Sequence, residues 1–502
     1  MAQSGASKQY ILAIDQGTTG SRAFLFNHRG QPLASSYKEF KQYYPRSGWV
    51  EHDAMELWAS VESVIRRTLS SARINPVQIK AIGITNQRET TLLWDRKTGI
   101  PCHKAIVWQC RRTADICLRM KKHAKLFQDT TGLCLDAYFS GTKVRWLLDN
   151  VPGLRARAVN GEIAFGTMDA WLIYKLTGGQ SHVTDMTNAS RTLMFDISSH
   201  SWSPALLKLL KIPASILPVV LPSSAVFGYT RAPAAGLPSG IPIAGVMGDQ
   251  QAALYGQGCT RPGSIKNTYG TGCFMLLNTG SERVHSKRGL LTTLACDENG
   301  EPVFALEGAV FVAGAVIQWL RDELKVIKKS SDTERLIAGL TDTCGVYIVP
   351  AFTGLGAPYW EPHVRGAITG LSRGANVRHI VRAALESMAY QTKDVFDLME
   401  KESGLKVKML AVDGGACRNN FLMQFQADLL GVKVARPCMV DSTVAGVAYL
   451  AGVSVGLFSP SKIFGARPYD RIFTPDLSKA ESQALYSGWT RAVRQVLAGK
   501  EE

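Results

Sequence analysis

No stretch of this 502-residue sequence is apolar for long enough to cross a bilayer. The two most apolar runs, 308–320 and 445–458, fall short of the ~18–20 residues a span needs and read as buried helices. A secretory leader is not expected either. MAQSGASKQ is polar, and the first apolar run, 10–14, stops at an aspartate. The ten cysteines are scattered, with no C-x-x-C pair and no histidine at a zinc spacing. That argues against a zinc site or a disulfide framework and for reduced thiols in a cytoplasmic protein. Asn188-Ala189-Ser190 fits a glycosylation pattern, but without a leader it reads as chance. G-x-x-x-x-G-K-[ST] is absent, which excludes a P-loop as the source of any phosphate site.

What is there begins with size. A chain of 502 residues is too long for one core and predicts at least two domains of roughly 200–250 residues. Hydrophobic residues at 46% and charged residues at 20% are ordinary for a folded globular protein. Lys and Arg exceed Asp and Glu by 57 to 41, a formal charge of +16. The excess is spread along the chain, and its densest clusters, such as Lys121-Lys122 and Lys328-Lys329, are short. It reads as a solvated basic surface rather than a nucleic-acid site, with some capacity to steer small anions.

Two portions of the chain open alike. Residues 10–14 lead as a strand into Asp15-Gln16-Gly17-Thr18-Thr19-Gly20-Ser21-Arg22, and residues 264–266 lead into Asn267-Thr268-Tyr269-Gly270-Thr271-Gly272. Each continues into a second strand, which suggests a duplicated unit. Between them, helical spacing covers 55–69, a strand is predicted at 79–85, and 89–95 with 104–109 read as a hairpin around 96–99. A buried strand at 241–247 precedes a domain boundary near 257. Later, 379–400 reads as a long helix and 409–412 as a short buried strand. Alternating strands and helices predict an α/β fold.

Glycines remove the side chains that would keep a phosphate chain from backbone N–H donors. In the first turn Thr18, Thr19 and Ser21 add hydroxyls, and Arg22 adds a guanidinium. Asp15, at the strand end, can hold Mg²⁺ through waters. Gly270-Thr271-Gly272 repeats these properties. A third element, Val412-Asp413-Gly414-Gly415-Ala416 with Asn419-Asn420, is a strand ending in a glycine pair before a helix, suited to adenosine or phosphate. Singly, each is as compatible with a tight turn. Together they stand in the order expected of an actin-like ATPase.

GWVEHD (48–53), GITNQRETT (83–91), AIVWQCRR (105–112), YFSGTK (138–143), TDMTNASRT (184–192), GDQQAAL (248–254), NTYGTGCFM (267–275) and VPAFTGLGAPYW (349–360) are long, specific stretches. Through them the chain resembles the FGGY carbohydrate-kinase family, and within it the glycerol-phosphorylating members, from about residue 9 to about 495. The resemblance implies two ribonuclease H-like (actin-like ATPase) domains, 1–257 and 258–502, around a central cleft holding ATP and substrate. It implies transfer of the γ-phosphoryl group of ATP to glycerol, giving sn-glycerol 3-phosphate, in glycerol uptake and catabolism.

Carried over by position, the catalytic base matches Asp249 and a neighbouring substrate contact matches Gln250. The glycerol hydroxyls match Arg88, Glu89 and Tyr138, and the apolar wall matches Trp108 and Phe274. Nucleotide contacts match Thr18, Thr19, Arg22, Thr271, Gly314, Gln318, Gly415 and Asn419, and Asp15 and Asp249 fall to Mg²⁺. Other roles compete at several positions. Asp249 suits a helix N-cap, Arg88-Glu89 a surface ion pair, and Trp108 and Phe274 a core. If Arg88 and Glu89 both face substrate, the backbone must bulge or leave the sheet there. Many bacterial family members bind an inhibitory fructose bisphosphate through a Gly-rich loop ending in Arg. Here 234–240 has no Arg or Lys and contains Pro, which argues against that regulation. A dimer or tetramer is expected. A kinase for another polyol or a pentulose, and a non-catalytic actin-like protein, are the competing readings.

Overall fold

The computed structural model describes residues 9–361, 363–465 and 468–499. By contact the chain divides into two units. The first runs through Thr260 and regains Thr292–Phe304 and Ser442–Ala466; the second holds the remainder. The units are therefore not contiguous halves of the sequence.

In the first unit, Tyr10–Gln16 is buried on both faces, as its run of Ile, Leu and Ala demands. Gly20–Phe26 pairs with it antiparallel on one side, and Ile79–Asn86 pairs parallel on the other. Pro242–Gly248 continues the parallel order, while Pro32–Glu39 and Gly228–Tyr229 close the edges. Helix Ala54–Ala72 covers one face. Asp53 caps it by accepting from the N–H groups of Met55 and Glu56, and Leu57, Trp58, Val61, Val64, Ile65 and Leu69 are its buried stripe. Helix Ser442–Ser454, from the second apolar run, packs so closely that a methyl at Gly83 would collide with the Val447 carbonyl. One at Gly446 would collide with the carbonyl of Ala252.

In the second unit, Ile265–Tyr269 pairs antiparallel with Cys273–Gly280 and parallel with Met409–Asp413. Lys433–Pro437 follows in parallel, and Tyr469–Phe473 closes that edge antiparallel. This is the succession of the first unit, so the duplication that was faint in sequence is plain in topology. Helix Val377–Ser403, started by Asn376 and ended at left-handed Gly404, packs against this sheet.

Two local expectations need correction. The run 308–320 is not one helix: strand Pro302–Val310 ends inside it and helix Gly314–Asp322 begins after a turn. An apolar run buried in either state carries no periodicity to separate them. The 96–99 turn does reverse the chain, with bridges Thr91–Ile106 and Trp94–Pro101 joining its arms. The regular strand of its first arm, Leu92–Asp95, nevertheless pairs with Ile163–Gly166, and Ala105–Ile106 pairs with Glu51–His52.

Candidate active site

Three parallel strands of the first unit end together. Gln16 and Asn86 are register partners, as are Gly248 and Asn86. The segments that leave these ends, 17–20, 87–91 and 249–251, enter one region. In an open α/β sheet this carboxyl edge is where ligands bind.

The Gly/Thr turn closes with the Gly17 N–H donating to the Gly20 carbonyl at 3.0 Å. Its carbonyls are held from outside, Thr18 O by Gln42 Nε2 at 3.1 Å and Gly17 O by Gln87 Nε2 at 3.2 Å. Thr19 is exposed and Thr18 partly so. Arg22 stands opposite Asp15 in the pairing, its guanidinium 5.3 Å over the Tyr37 ring. Ser21 lies differently from its neighbours in the turn. It is fully buried and its hydroxyl bonds Ser60 at 2.8 Å, because strand alternation turns it inward while Arg22 turns outward.

Strand Ile79–Asn86 stops before Arg88, and Glu89 adopts a left-handed backbone at φ +62°. The chain has left the sheet, so strand alternation no longer sends Arg88 and Glu89 to opposite faces, and their side chains come within 3.9 Å. A non-glycine residue in that conformation costs about 1–2 kcal/mol. Two hydroxyls, Thr91 and Ser140, each donate to the Glu89 carbonyl at 2.9 Å and offset that strain. Arg88 and Glu89 are 3% and 1% exposed, so a surface ion pair is ruled out. Arg88 Nε lies 3.1 Å from Asp249 Oδ1 and 3.9 Å from Glu89 Oε1, and its Nη1 donates to Gln251 Oε1 at 3.2 Å. On the far side of Glu89, Arg191 Nε donates to Oε1 at 2.7 Å. Two guanidiniums and two carboxylates share the site, which keeps each buried charge compensated.

Asp249 is the first residue of helix Asp249–Gly256, and its Oδ1 accepts from the N–H of Gln250 at 2.7 Å. The N-cap is Gly248 and no side chain caps this helix, so Asp249 is not the cap the sequence suggested; as an acid of the first turn it lies where a helix N-terminus stabilises an anion. Gln250 itself is largely buried. Trp108 meets Tyr138 edge to face at 5.6 Å and donates from Nε1 to Thr18 Oγ1 at 2.9 Å. Neither ring is core; both are partly exposed. The Tyr138 backbone is fixed by Asp136, which accepts its N–H at 2.8 Å, and by Lys143, which donates to its carbonyl. Lys143 is fully buried, and burial pushes its ammonium down to about 8.

The second unit has its own counterpart. Gly270 and Thr271 are exposed at the tip between Ile265–Tyr269 and Cys273–Gly280. Gly314 N–H donates to Gly270 O at 3.0 Å, and Ala313 and Ala315 donate to Thr271 O at 2.9 and 3.1 Å. A methyl on Gly314 would lie 2.5 Å from the Gly270 carbonyl, so this approach requires glycine. Gln318 is exposed on the helix that follows. Gly414, at φ +86°, packs on the Tyr269 backbone, whereas Gly415 has open space where a side chain would go. Asn419 caps helix Asn420–Leu430 by accepting from Leu422 N–H at 2.8 Å, and its Nδ2 donates to Thr333 at 3.2 Å. Phe274 is partly buried on Cys273–Gly280, in this unit.

Among the described residues no three His, Cys, Asp or Glu side chains gather as a metal cage. Asp15 and Asp249 offer oxygen donors alone, a set that fits Mg²⁺, which keeps waters and phosphate oxygens as ligands.

The residues match the FGGY family of carbohydrate kinases, its N-terminal domain over residues 10–256 and its C-terminal domain over 265–455. The chain belongs to this family. Among its relatives, the glycerol kinase of Alkaliphilus oremlandii is 55% identical across 99% of both chains. That of Shewanella amazonensis is 56% identical across 98% of this chain and 99% of the relative. Of solved structures, Plasmodium falciparum glycerol kinase with ADP superposes at a TM-score of 0.91 with 33% identity, covering 98% of each chain. Xylulose kinase from Lactobacillus acidophilus superposes at 0.88 over 98% of this chain and 99% of that one; at 21% identity the likeness is one of fold.

Sequence reasoning did not single out Gln87, Gln251 or Arg191. Arg191 carried one signal, a lone cation ahead of the apolar Leu193-Met194-Phe195.

Proposed function

We propose that this kinase phosphorylates glycerol with ATP, giving sn-glycerol 3-phosphate and ADP. The observation that carries the reading is the convergence of Arg88, Glu89, Tyr138, Trp108 and Asp249 at the strand ends beside the Gly/Thr turn. The likeness to glycerol kinases at 55% identity supports the choice of substrate. Arg88, Glu89 and Tyr138 meet the glycerol hydroxyls, Arg88 donating and Glu89 accepting, Gln250 adds a further substrate contact, and Trp108 and Phe274 are assigned to the apolar wall. Asp249 accepts the proton of the terminal hydroxyl as that oxygen attacks the γ-phosphorus in line. Arg88 keeps the carboxylate oriented.

Phosphate contacts fall to Thr18, Thr19 and Arg22, and the other nucleotide contacts to Thr271, Gly314, Gln318, Gly415 and Asn419. Mg²⁺, held by Asp15 and Asp249, would neutralise phosphate charge. A cytoplasmic location and a dimer or tetramer belong to the same proposal. None of the ten cysteines is in a disulfide, which supports the location. No helix among the described residues is long and apolar enough to cross a membrane. Fructose bisphosphate regulation is not part of the proposal: in the 234–240 loop, Ala235 N–H meets a carboxylate, Glu62, at 3.3 Å.

The test is a coupled ADP-release assay across glycerol, dihydroxyacetone, xylulose and gluconate. Glycerol should give the highest kcat/KM. Polar groups left unpaired by an analogue lacking a hydroxyl should lower it by about 10⁴-fold. A higher kcat/KM on xylulose or gluconate would overturn the reading.

A further inference from the structure

One buried turn, absorbed by none of the roles above, touches Glu89, Tyr138 and the backbone just before Asp249. Helix Met186–Ala189 and the residues beside it are rooted in Asp185, which is fully buried. Its carboxylate accepts from the N–H groups of Thr187 and Asn188, both at 2.9 Å, and from Asn188 Nδ2 at 2.8 Å. It also accepts from the hydroxyls of Thr187 at 2.7 Å and Ser223 at 2.8 Å. From this root three side chains reach outward. Thr187 Oγ1 accepts the N–H of Gly248, the residue before Asp249, at 2.9 Å. Asn188 and Asn86 exchange amide hydrogen bonds of 3.0 and 3.1 Å at the end of strand Ile79–Asn86. Arg191, fully buried, donates to Glu89 and stands 5.8 Å over the Tyr138 ring. Ser190 completes the frame through Thr293 at 2.9 Å, whose hydroxyl also accepts from Gln251, the partner of Arg88, at 3.2 Å.

We propose that the buried turn 185–191 is the positioning element of this site, with Arg191 setting Glu89, Asn188 setting the end of strand Ile79–Asn86, and Thr187 setting the backbone that presents Asp249. The inference rests on the functional reading above and deepens it. None of these residues is assigned a contact with the reacting atoms. Each acts through a residue that has one. Five donors on one carboxylate and a reciprocal amide pair make the turn rigid, and a rigid support is what holds a reacting carboxylate within a few tenths of an ångström.

The roles separate in kinetics. Thr187→Val keeps shape and removes the hydroxyl that holds Gly248. Its kcat should fall about 10-fold while KM for the acceptor stays within about 2-fold, the signature of a contact used only in the transition state. Arg191→Met should raise acceptor KM by about 10–100-fold, and Arg191→Lys should recover part of that loss. In a double-mutant cycle, Arg191→Met added to Glu89→Gln should cost little beyond Glu89→Gln alone. All variants are assayed on whichever of the four acceptors the wild type turns over best. A failed glycerol assignment thus leaves the positioning test intact, and a wild type inactive on all four overturns both. An unchanged kcat in Thr187→Val, or multiplying effects in the cycle, overturns the positioning role. If Arg191→Met does not fold, Thr187→Val and Arg191→Lys decide.

Discussion

Arg88 Nε lies 3.1 Å from Asp249 Oδ1, joining a buried cation to a carboxylate whose side chain is one third exposed. The pair is asymmetric. Its basic half is fixed by Gln251 and Glu89, and its acidic half faces outward at the start of a helix. An acid held in this way is oriented without being sealed off.

Replacing that acid should therefore cost chemistry before it costs folding. Asp249→Asn should lower kcat by about 10²–10⁴-fold, or roughly 3–5 kcal/mol of barrier, with a near-native melting temperature. Steady-state kinetics and thermal unfolding on the same sample check both parts. Turnover close to wild type would remove Asp249 from the role of base.

Glu89 should behave in the opposite way. Glu89→Ala removes a carboxylate buried against Arg88 and Arg191 and leaves two guanidiniums with less compensation. Breaking a buried pair from one side costs about 3–5 kcal/mol. The variant should melt well below wild type and below Asp249→Asn as well. Equal melting temperatures would mean the buried charges are not coupled.

The glycine pair after strand Met409–Asp413 offers a contrast between neighbours. Gly414→Ala forces a methyl into the Tyr269 backbone at a left-handed φ and should destabilise the protein. Gly415→Ala meets nothing within 4 Å and should leave stability within about 0.5 kcal/mol. If nucleotide passes over Gly415, its KM for ATP should nonetheless rise, by about 10-fold. An unchanged KM would take Gly415 out of the nucleotide site.

A buried histidine ties this region to acidity. His52 Nε2 bonds Gln42 Oε1 at 2.6 Å, and Nδ1 faces Gln87 Nε2 at 3.3 Å; both glutamines hold the Gly/Thr turn. With Nδ1 accepting, protonation would set a donor against a donor, and burial pushes His52 down to about 4. The folded value lies below the ordinary 6.5, so the unfolded chain binds the proton first. The resulting stability, about 3 kcal/mol, is fully present above pH 6.5 and is lost as pH falls from 6.5 through 4. His52→Gln should be less stable at pH 7 but should show a shallower fall in melting temperature between pH 6.5 and 4.5. Parallel curves would assign the acid sensitivity elsewhere.

What was legible in the sequence was local. The stripe Leu57, Trp58, Val61, Val64, Ile65 marks a helix because it repeats within a few residues, and Asp15–Thr19 marks a turn through its glycines and hydroxyls. Asp249, Arg88 and Tyr138 could be named as candidates only through long matched stretches. Pairings across distance were not: nothing local ties Leu92–Asp95 to Ile163–Gly166, or Arg191 to Glu89. That Ser21 turns inward to Ser60 was not legible, because a strand's alternation assigns its faces only once the register is known. A departure from the sheet at Arg88-Glu89 could be required by argument, but not its left-handed form at Glu89, since the support for that comes from Ser140 and Thr91.

Helix Ser442–Ser454 bears on how the chain is made. Its carbonyls fill the surfaces left bare by Gly83 and Gly256, in elements that finish at Asn86 and Gly256. A ribosome that has just released Gly256 has produced a first unit lacking this helix. At about 5–20 residues per second the missing piece emerges roughly 10–40 s later. Throughout that interval an apolar sheet face stands uncovered in the nascent chain. Until the helix arrives, that face has no cover from its own chain.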